Sequence, residues 1–301
     1  MASQSAVDVA TLPQRQFGKT GEKVPILGLG SAPGGMGLPD VEAIELYHAA
    51  LDLGVTYLDT APGYDKAQVQ LGQVMNTRRD EAFLVTKTFA SEGKKATEIL
   101  EQSLRDLQTD QVDLAFVHSV SSLDIDQVLA PDGALAALRD AQKRGLVRFV
   151  GITCHARPWK AVKVLKAAQV DAVMFAMNYV DRHTYNFQGE ALELAVAQEA
   201  GVAAMKVFGG APKMKYEDPT PSMLGMAHSD RLETALRYAL GLKGVGTAVV
   251  GMYSIAELEQ NIAWARNHQP LSVSQLAEID REGQDLAKEW GEHFGPLTGD
   301  E

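Results

Sequence analysis

The chain has 301 residues and a formal charge of −11, from 28 Lys and Arg against 39 Asp and Glu. Apolar residues make up 46%, too many for a disordered chain, and the acidic balance argues against nucleic-acid binding, which needs a basic patch. Cys154 is the single cysteine, so no intrachain disulfide and no cysteine-built zinc site can form.

Residues 1–13 are expected to be a flexible terminus; they lack the basic start and apolar core of a secretory signal. No apolar run approaches the roughly 18 residues of a membrane span. A soluble cytoplasmic protein with neither membrane nor nucleic-acid partner is expected. The stretch 14–27 carries a K-T-G-E turn and reads as a small hairpin, placed to plug the bottom of a barrel.

From there, short apolar runs rich in β-branched residues alternate with longer amphipathic stretches. A strand over 24–30 precedes a helix over 41–54, where Ile44, Tyr47, His48 and Leu51 recur at helical spacing and Gly54 closes the end. Strands over 55–60, 83–88 and 112–119 precede helices over 66–76, 95–108 and 132–145. Strands over 147–153, 170–178, 202–208 and 247–252 precede helices over 157–168, 189–201, 229–241 and 254–267. A further helix over 272–291 has Ser272 or Ser274 as its cap. Eight strand–helix pairs, with strands apolar on both faces, predict a (β/α)8 TIM barrel over 14–301 as a single domain. A doubly wound open sheet is the alternative on the alternation alone.

Two long loops, 119–131 and 209–228, come after the fourth and seventh strands. Barrels of this kind carry their chemistry at that end. There the sequence puts Asp59 at the end of L-D-T, Tyr64 in A-P-G-Y, Lys87 at the end of V-T-K and His118 at the end of A-F-V-H. Each has an ordinary structural reading alone. Together, three adjacent strands would aim them into one pocket. Lys87 and Asp59 can pair. The Lys87 ammonium beside Tyr64 would lower the phenol's pKa and make it a general acid near neutrality. His118 can reach the same oxygen.

These motifs resemble the aldo-keto reductase superfamily. The resemblance rests on L-D-T-A-P-G-Y (58–64), V-T-K (85–87) and D-L-A-F-V-H (113–118). It extends through R-Q-F-G-K-T-G-E-K-V-P-I-L-G-L-G (15–30), V-G-I-T (150–153), M-N-Y-V-D-R (177–182) and G-M-Y-S-I-A-E-L-E-Q-N (251–261). It implies an NADP(H)- or NAD(H)-dependent reductase of aldehydes or ketones, or the reverse alcohol oxidation, with no metal. Tyr64 would supply the proton, Lys87 tune it, Asp59 hold Lys87 and His118 orient the carbonyl. No G-x-G-x-x-G fingerprint opens a strand–helix unit, which removes the open-sheet reading. Gly30 and Ser31 would let the backbone approach the nicotinamide. Gly251, Tyr253, Ser254, Glu257 and Asn261 would take the adenosine end.

The sequence departs from the family pattern in three places. Ser254 and Glu257 stand where cations for a 2′-phosphate are common, which leans toward NADH and leaves the choice open. In A-M-K-V-F-G (204–209), Met205 replaces a stacking aromatic ring, Lys206 can reach the pyrophosphate or instead make a salt bridge on the rim, and Phe208 joins the same segment. Thr153, Cys154 and Met174 stand where carboxamide-binding residues are common, and Asn178 is the candidate replacement. His118, Cys154 and His155 on one rim are a weak metal set. Met214, Met223 and Met226 read equally as a soft substrate lid or as the loose packing of a mobile loop, beside a pocket shaped by 32–40, 119–131, 209–228 and 292–301. A non-catalytic cofactor-binding barrel and an epimerase are the competing readings.

Overall fold

A computed structural model describes residues 12–299. Positions 1–11 of the expected flexible terminus, and 300–301 of the expected pocket loop, lie outside the described residues. Leu12 is already buried, and the Pro13 carbonyl accepts a hydrogen bond from Ile26 N–H.

Strands β1 (Gln14–Gln16) and β2 (Lys23–Pro25) form an antiparallel hairpin. The chain then closes eight parallel strands into a barrel. They are β3 (Leu27–Gly30), β4 (Tyr57–Asp59), β5 (Phe83–Thr88), β6 (Val112–Val117), β7 (Val147–Cys154), β8 (Ala172–Ala176), β9 (Gly201–Met205) and β10 (Val245–Gly251). The expected strand over 24–30 is therefore two strands, split at Ile26. The expected strand over 202–208 stops at Met205, because Lys206 takes a left-handed backbone (φ 57°) that ends the ladder.

The helices are α1 (Ala32–Gly37), α2 (Asp40–Asp52), α3 (Ala67–Arg78), α4 (Gly93–Asp106), α5 (Ile125–Leu129), α6 (Ala134–Lys143), α7 (Pro158–Ala167), α8 (Glu190–Ala197), α9 (Met223–Ala227), α10 (Leu232–Gly241), α11 (Ile255–Arg266) and α12 (Val273–Trp290). Sequence periodicity missed α1, α5 and α9, which are one-turn pieces inside loops. The buried face of α2 is Ala43, Leu46, Tyr47, Ala50 and Leu51, so the apolar stripe is rotated from the expected Ile44–His48 line. Ser272 caps α12 in a reciprocal capping box with Gln275. No helix among the described residues is long and apolar enough to cross a membrane.

The hairpin closes the barrel floor with Phe17. Its ring meets Tyr57 at 6.0 Å and Phe83 at 5.8 Å, both edge-on. Two glycines make room for it: a Cβ on Gly201 or Gly246 would lie 2.5 or 2.9 Å from the Phe17 ring. Above this floor, Phe116, Met174 and Met205 fill the interior. The filled lower barrel leaves polar chemistry to the strands' C-terminal ends.

Candidate active site

The polar groups at the barrel mouth are built on β4, β5 and β6. Asp59 ends β4 and Lys87 is the penultimate residue of β5, so their side chains face each other across neighbouring strands. Lys87 Nζ donates to Asp59 Oδ1 at 2.6 Å, to the Thr60 carbonyl at 2.9 Å and to Tyr64 Oη at 3.4 Å. Its charge also sits 4.9 Å from the Tyr64 ring centroid. His118 comes directly after β6 and meets the Tyr64 ring edge-on at 6.3 Å. The structure thus brings the four expected residues together.

The four do not all open onto one pocket. Two cavities adjoin at the mouth, of about 680 and about 440 Å³. Asp59 lines the larger, His118 the smaller, and Tyr64 both. Lys87 lines neither; it is 1% exposed and acts from beneath.

The expected lowering of the Tyr64 pKa is also corrected. Burial raises it above the ordinary phenol value, and the Asp59 charge raises it further. The charge of Lys206 acts in the opposite direction without reversing the rise, so Tyr64 is a phenol that holds its proton firmly. Burial, then the charges of Lys87 and Lys206, push His118 down to about 3. Burial is also the first cause holding His155 well below the ordinary imidazole range. Both rings are neutral at pH 7.

The larger cavity runs from Tyr64 to the start of α11. Gly30, Met174, Met205, Phe208, Gly251 and Tyr253 line it. At its far end Ser254 Oγ accepts Glu257 N–H at 3.2 Å, and Glu257 Oε2 accepts Tyr253 N–H at 2.7 Å. The carboxylate therefore folds back onto the loop amide just before the Ser254 N-cap of α11 and puts a negative charge beside the helix's N-terminal end. Asn261 Nδ2 donates to the Glu257 carbonyl at 2.8 Å, while its buried Oδ1 has no partner and Asn261 lines the cavity.

Several expected contacts do not reach a cavity. Thr153 is buried and its Oγ1 accepts Ser119 N–H at 2.7 Å. Asn178 is fully engaged: Nδ2 donates to Asp181 and to the Lys206 carbonyl, and Oδ1 accepts Val180 and Asp181 N–H. Neither is available for a carboxamide. Ser31 and Ser254 also lie outside the lining, Ser31 buried behind Gly30. Cys154 points at the Ala156 carbonyl, away from His118 and His155. Among the described residues no group of three or more His, Cys, Asp or Glu side chains is disposed to hold a metal.

The lid differs from expectation too. Met226 is 55% exposed, and only Met214 of the three methionines lines a cavity. Tyr216 of the same loop lines both cavities, and sequence reading missed it because no periodicity marks a loop residue. Lys206 Nζ donates to its Oη at 2.5 Å, and Tyr253 Oη donates to its carbonyl at 3.3 Å. Phe89 and Phe294 were missed likewise; both line the smaller cavity.

A family model described as the aldo/keto reductase family matches residues 26–282. The chain is 24% identical to the L-galactose dehydrogenase of Arabidopsis thaliana, over 88% of this chain and 92% of that one. It superposes on the holo form of an aldo-keto reductase from Bacillus halodurans with a TM-score of 0.73 at 25% identity, covering 92% of this chain and 96% of that one. An aldo/keto reductase from Klebsiella pneumoniae in complex with NADP and acetate matches with a TM-score of 0.71 at 22% identity, covering 90% of this chain and 95% of that one.

Proposed function

The chain belongs to the aldo/keto reductase family of oxidoreductases, and on that footing we propose that it interconverts a small carbonyl compound and its alcohol with NAD(P)(H), Tyr64 moving the proton. The observation that carries the reading is Tyr64 itself. Its ring borders both cavities, and its hydroxyl lies 3.4 Å from a lysine already locked to Asp59.

The residues present fit a dinucleotide. The larger cavity is elongated from Tyr64 to α11 and mostly apolar. The unpartnered Asn261 Oδ1 is an acceptor waiting for a donor such as an adenine amino group. Gly30 and Gly251, paired across β3 and β10, keep side chains out of the approach. Gly30, Met205, Phe208, Gly251, Tyr253 and Asn261 would hold the dinucleotide, which supplies the hydride equivalent when bound.

The protein's own part is proton delivery and charge stabilisation. The carbonyl oxygen gains negative charge as its carbon is reduced. Tyr64 Oη gives that oxygen a proton, closing the balance to an alcohol and leaving a phenolate. The high Tyr64 pKa keeps the proton in place until charge develops. Lys87 then meets the phenolate at hydrogen-bond range, and Asp59 keeps the ammonium from moving. Neutral His118 lines the smaller cavity, where it can hydrogen-bond the carbonyl without adding charge.

Glu257 favours a dinucleotide without a 2′-phosphate, since its carboxylate puts a negative charge beside the N-terminal end of α11. A reducing cytoplasm suits the single, buried thiol of Cys154. The test is dinucleotide oxidation with a panel of aldehydes and ketones, in wild type and Tyr64→Phe. Carbonyl-dependent turnover lost in the variant supports the reading; no turnover with any carbonyl, despite dinucleotide binding, refutes it.

A further inference from the structure

Lys206 is a second cation at the mouth, and proton delivery by Tyr64 does not use it. It succeeds β9 in a left-handed conformation (φ 57°), which a side chain other than glycine's adopts at a cost. Its carbonyl is held there by Asn178 Nδ2 at 2.9 Å and by Gly209 N–H at 2.8 Å. The turn throws the side chain across the mouth instead of along the strand. Its Nζ contacts Tyr216 Oη and lies 4.9 Å from that ring's centroid.

No carboxylate of the described residues lies within 4 Å of this ammonium, whereas Lys87 is matched by Asp59. Lys206 and Tyr216 line both cavities. Among the described residues, the wall of the smaller cavity has no acidic side chain, and Lys206 is its one charged group. The Lys206 charge bears on Asp59, Tyr64, His118 and His155, which places it at the reacting end. The remaining wall is apolar or neutral: Met36, Phe89, Ile99, Met214, Phe294 and the two imidazoles. A half-buried ammonium facing such a wall is compensated best by an anion that the ligand brings.

We propose that Lys206 and Tyr216 form a carboxylate-recognition pair, and that the carbonyl substrate carries a carboxylate on the short carbon chain beside its carbonyl. The inference rests on the proposed carbonyl reduction. While Tyr216 Oη accepts from Lys206, its own proton is free to donate. The pair then offers two donors side by side to the two carboxylate oxygens. The carbonyl end is left to Tyr64 and His118. A cavity of about 440 Å³ limits the substrate to a small oxo acid or hydroxy acid. Lys206 thereby acts on the substrate, not on the pyrophosphate as the sequence suggested.

The test compares a short series of oxo acids with their methyl esters. One readout is dinucleotide-coupled turnover. The other is calorimetric binding to the protein alone. Wild type should favour acid over ester by about tenfold or more in both kcat/KM and Kd. Lys206→Met should bring that ratio to within about twofold, mainly through KM. Tyr216→Phe should lose a smaller part, and Lys206→Arg should keep the preference. Equal use and equal binding of acids and esters by wild type overturns the proposal. So does a Lys206→Met protein that binds dinucleotide weakly but keeps the acid preference, because Lys206 would then serve the phosphates. Lys206-dependent acid binding without turnover of any carbonyl supports this inference and overturns the proposed function. Turnover of neutral carbonyls without acid preference does the reverse.

Discussion

Lys87 Nζ and Asp59 Oδ1 are 2.6 Å apart, with both side chains no more than 5% exposed. Burial pushes the lysine pKa down and the aspartate pKa up, and each charge opposes the shift of the other. Removing one partner leaves a buried charge alone. Lys87→Met or Asp59→Asn should therefore lower the unfolding free energy by about 3–5 kcal/mol. The double variant Asp59→Leu with Lys87→Met should recover most of that. Urea unfolding of the three proteins checks this, and single variants within about 1 kcal/mol of wild type would contradict the pairing.

Glu257 tests the adenosine end. Its carboxylate is bonded to Tyr253 N–H, just before the Ser254 N-cap of α11, and puts a negative charge beside the helix end proposed to take the ribose. Glu257→Arg removes a repulsive charge and adds an attractive one. The NADPH/NADH affinity ratio should move about tenfold or more toward NADPH, and high salt should shrink the shift. Fluorescence titration with both dinucleotides measures it. An unchanged ratio means Glu257 does not face the ribose.

Neutral, partly buried histidines make stability depend on pH. His118 is pushed down to about 3 and His155 well below its ordinary value, so the folded state binds fewer protons than the unfolded one in mild acid. The stability they contribute is complete above about pH 6.5 and is lost as pH falls toward the folded values. His118 should add about 1.4 kcal/mol per pH unit to the slope between roughly pH 4 and 6, and His155 acts in the same direction. His118→Gln with His155→Gln should flatten it by at least the His118 share, measured by denaturant unfolding across the range. An unaltered slope would show the rings are not desolvated.

How far the fold and the site were legible in the sequence depends on the physical demands at each residue. Strands buried on both faces, such as Phe83–Thr88, cannot hide, because every position is apolar or tied into the mouth. The four residues were legible because they fall at or just past the C-terminal ends of three neighbouring strands, so spacing along the chain becomes proximity in space. Asn178 misled, since a local turn consumes its amide, and such competition leaves no periodic trace. The sign of the Tyr64 shift depended on the balance of burial, Asp59 and Lys206, which only distances decide. Tyr216 reaches the mouth through a loop whose path is set by the left-handed turn at Lys206.

That loop gives another measurement. Residues 209–228 are anchored over the larger cavity through Tyr216, with Tyr253 below it. Dinucleotide in that cavity should protect the loop, and limited proteolysis should cut it at least several-fold more slowly in the complex. Equal cleavage with and without dinucleotide would make it an ordinary surface loop.

The central claim is that Tyr64 delivers the proton, and Tyr64→Phe tests it most directly. The substitution keeps the ring against His118 and removes the hydroxyl that faces Lys87. Dinucleotide Kd should stay within about twofold while kcat for carbonyl reduction falls by about 10²–10⁴, the range for loss of a general acid. A Tyr64→Phe protein that binds dinucleotide and reduces carbonyls at the wild-type rate would contradict the account.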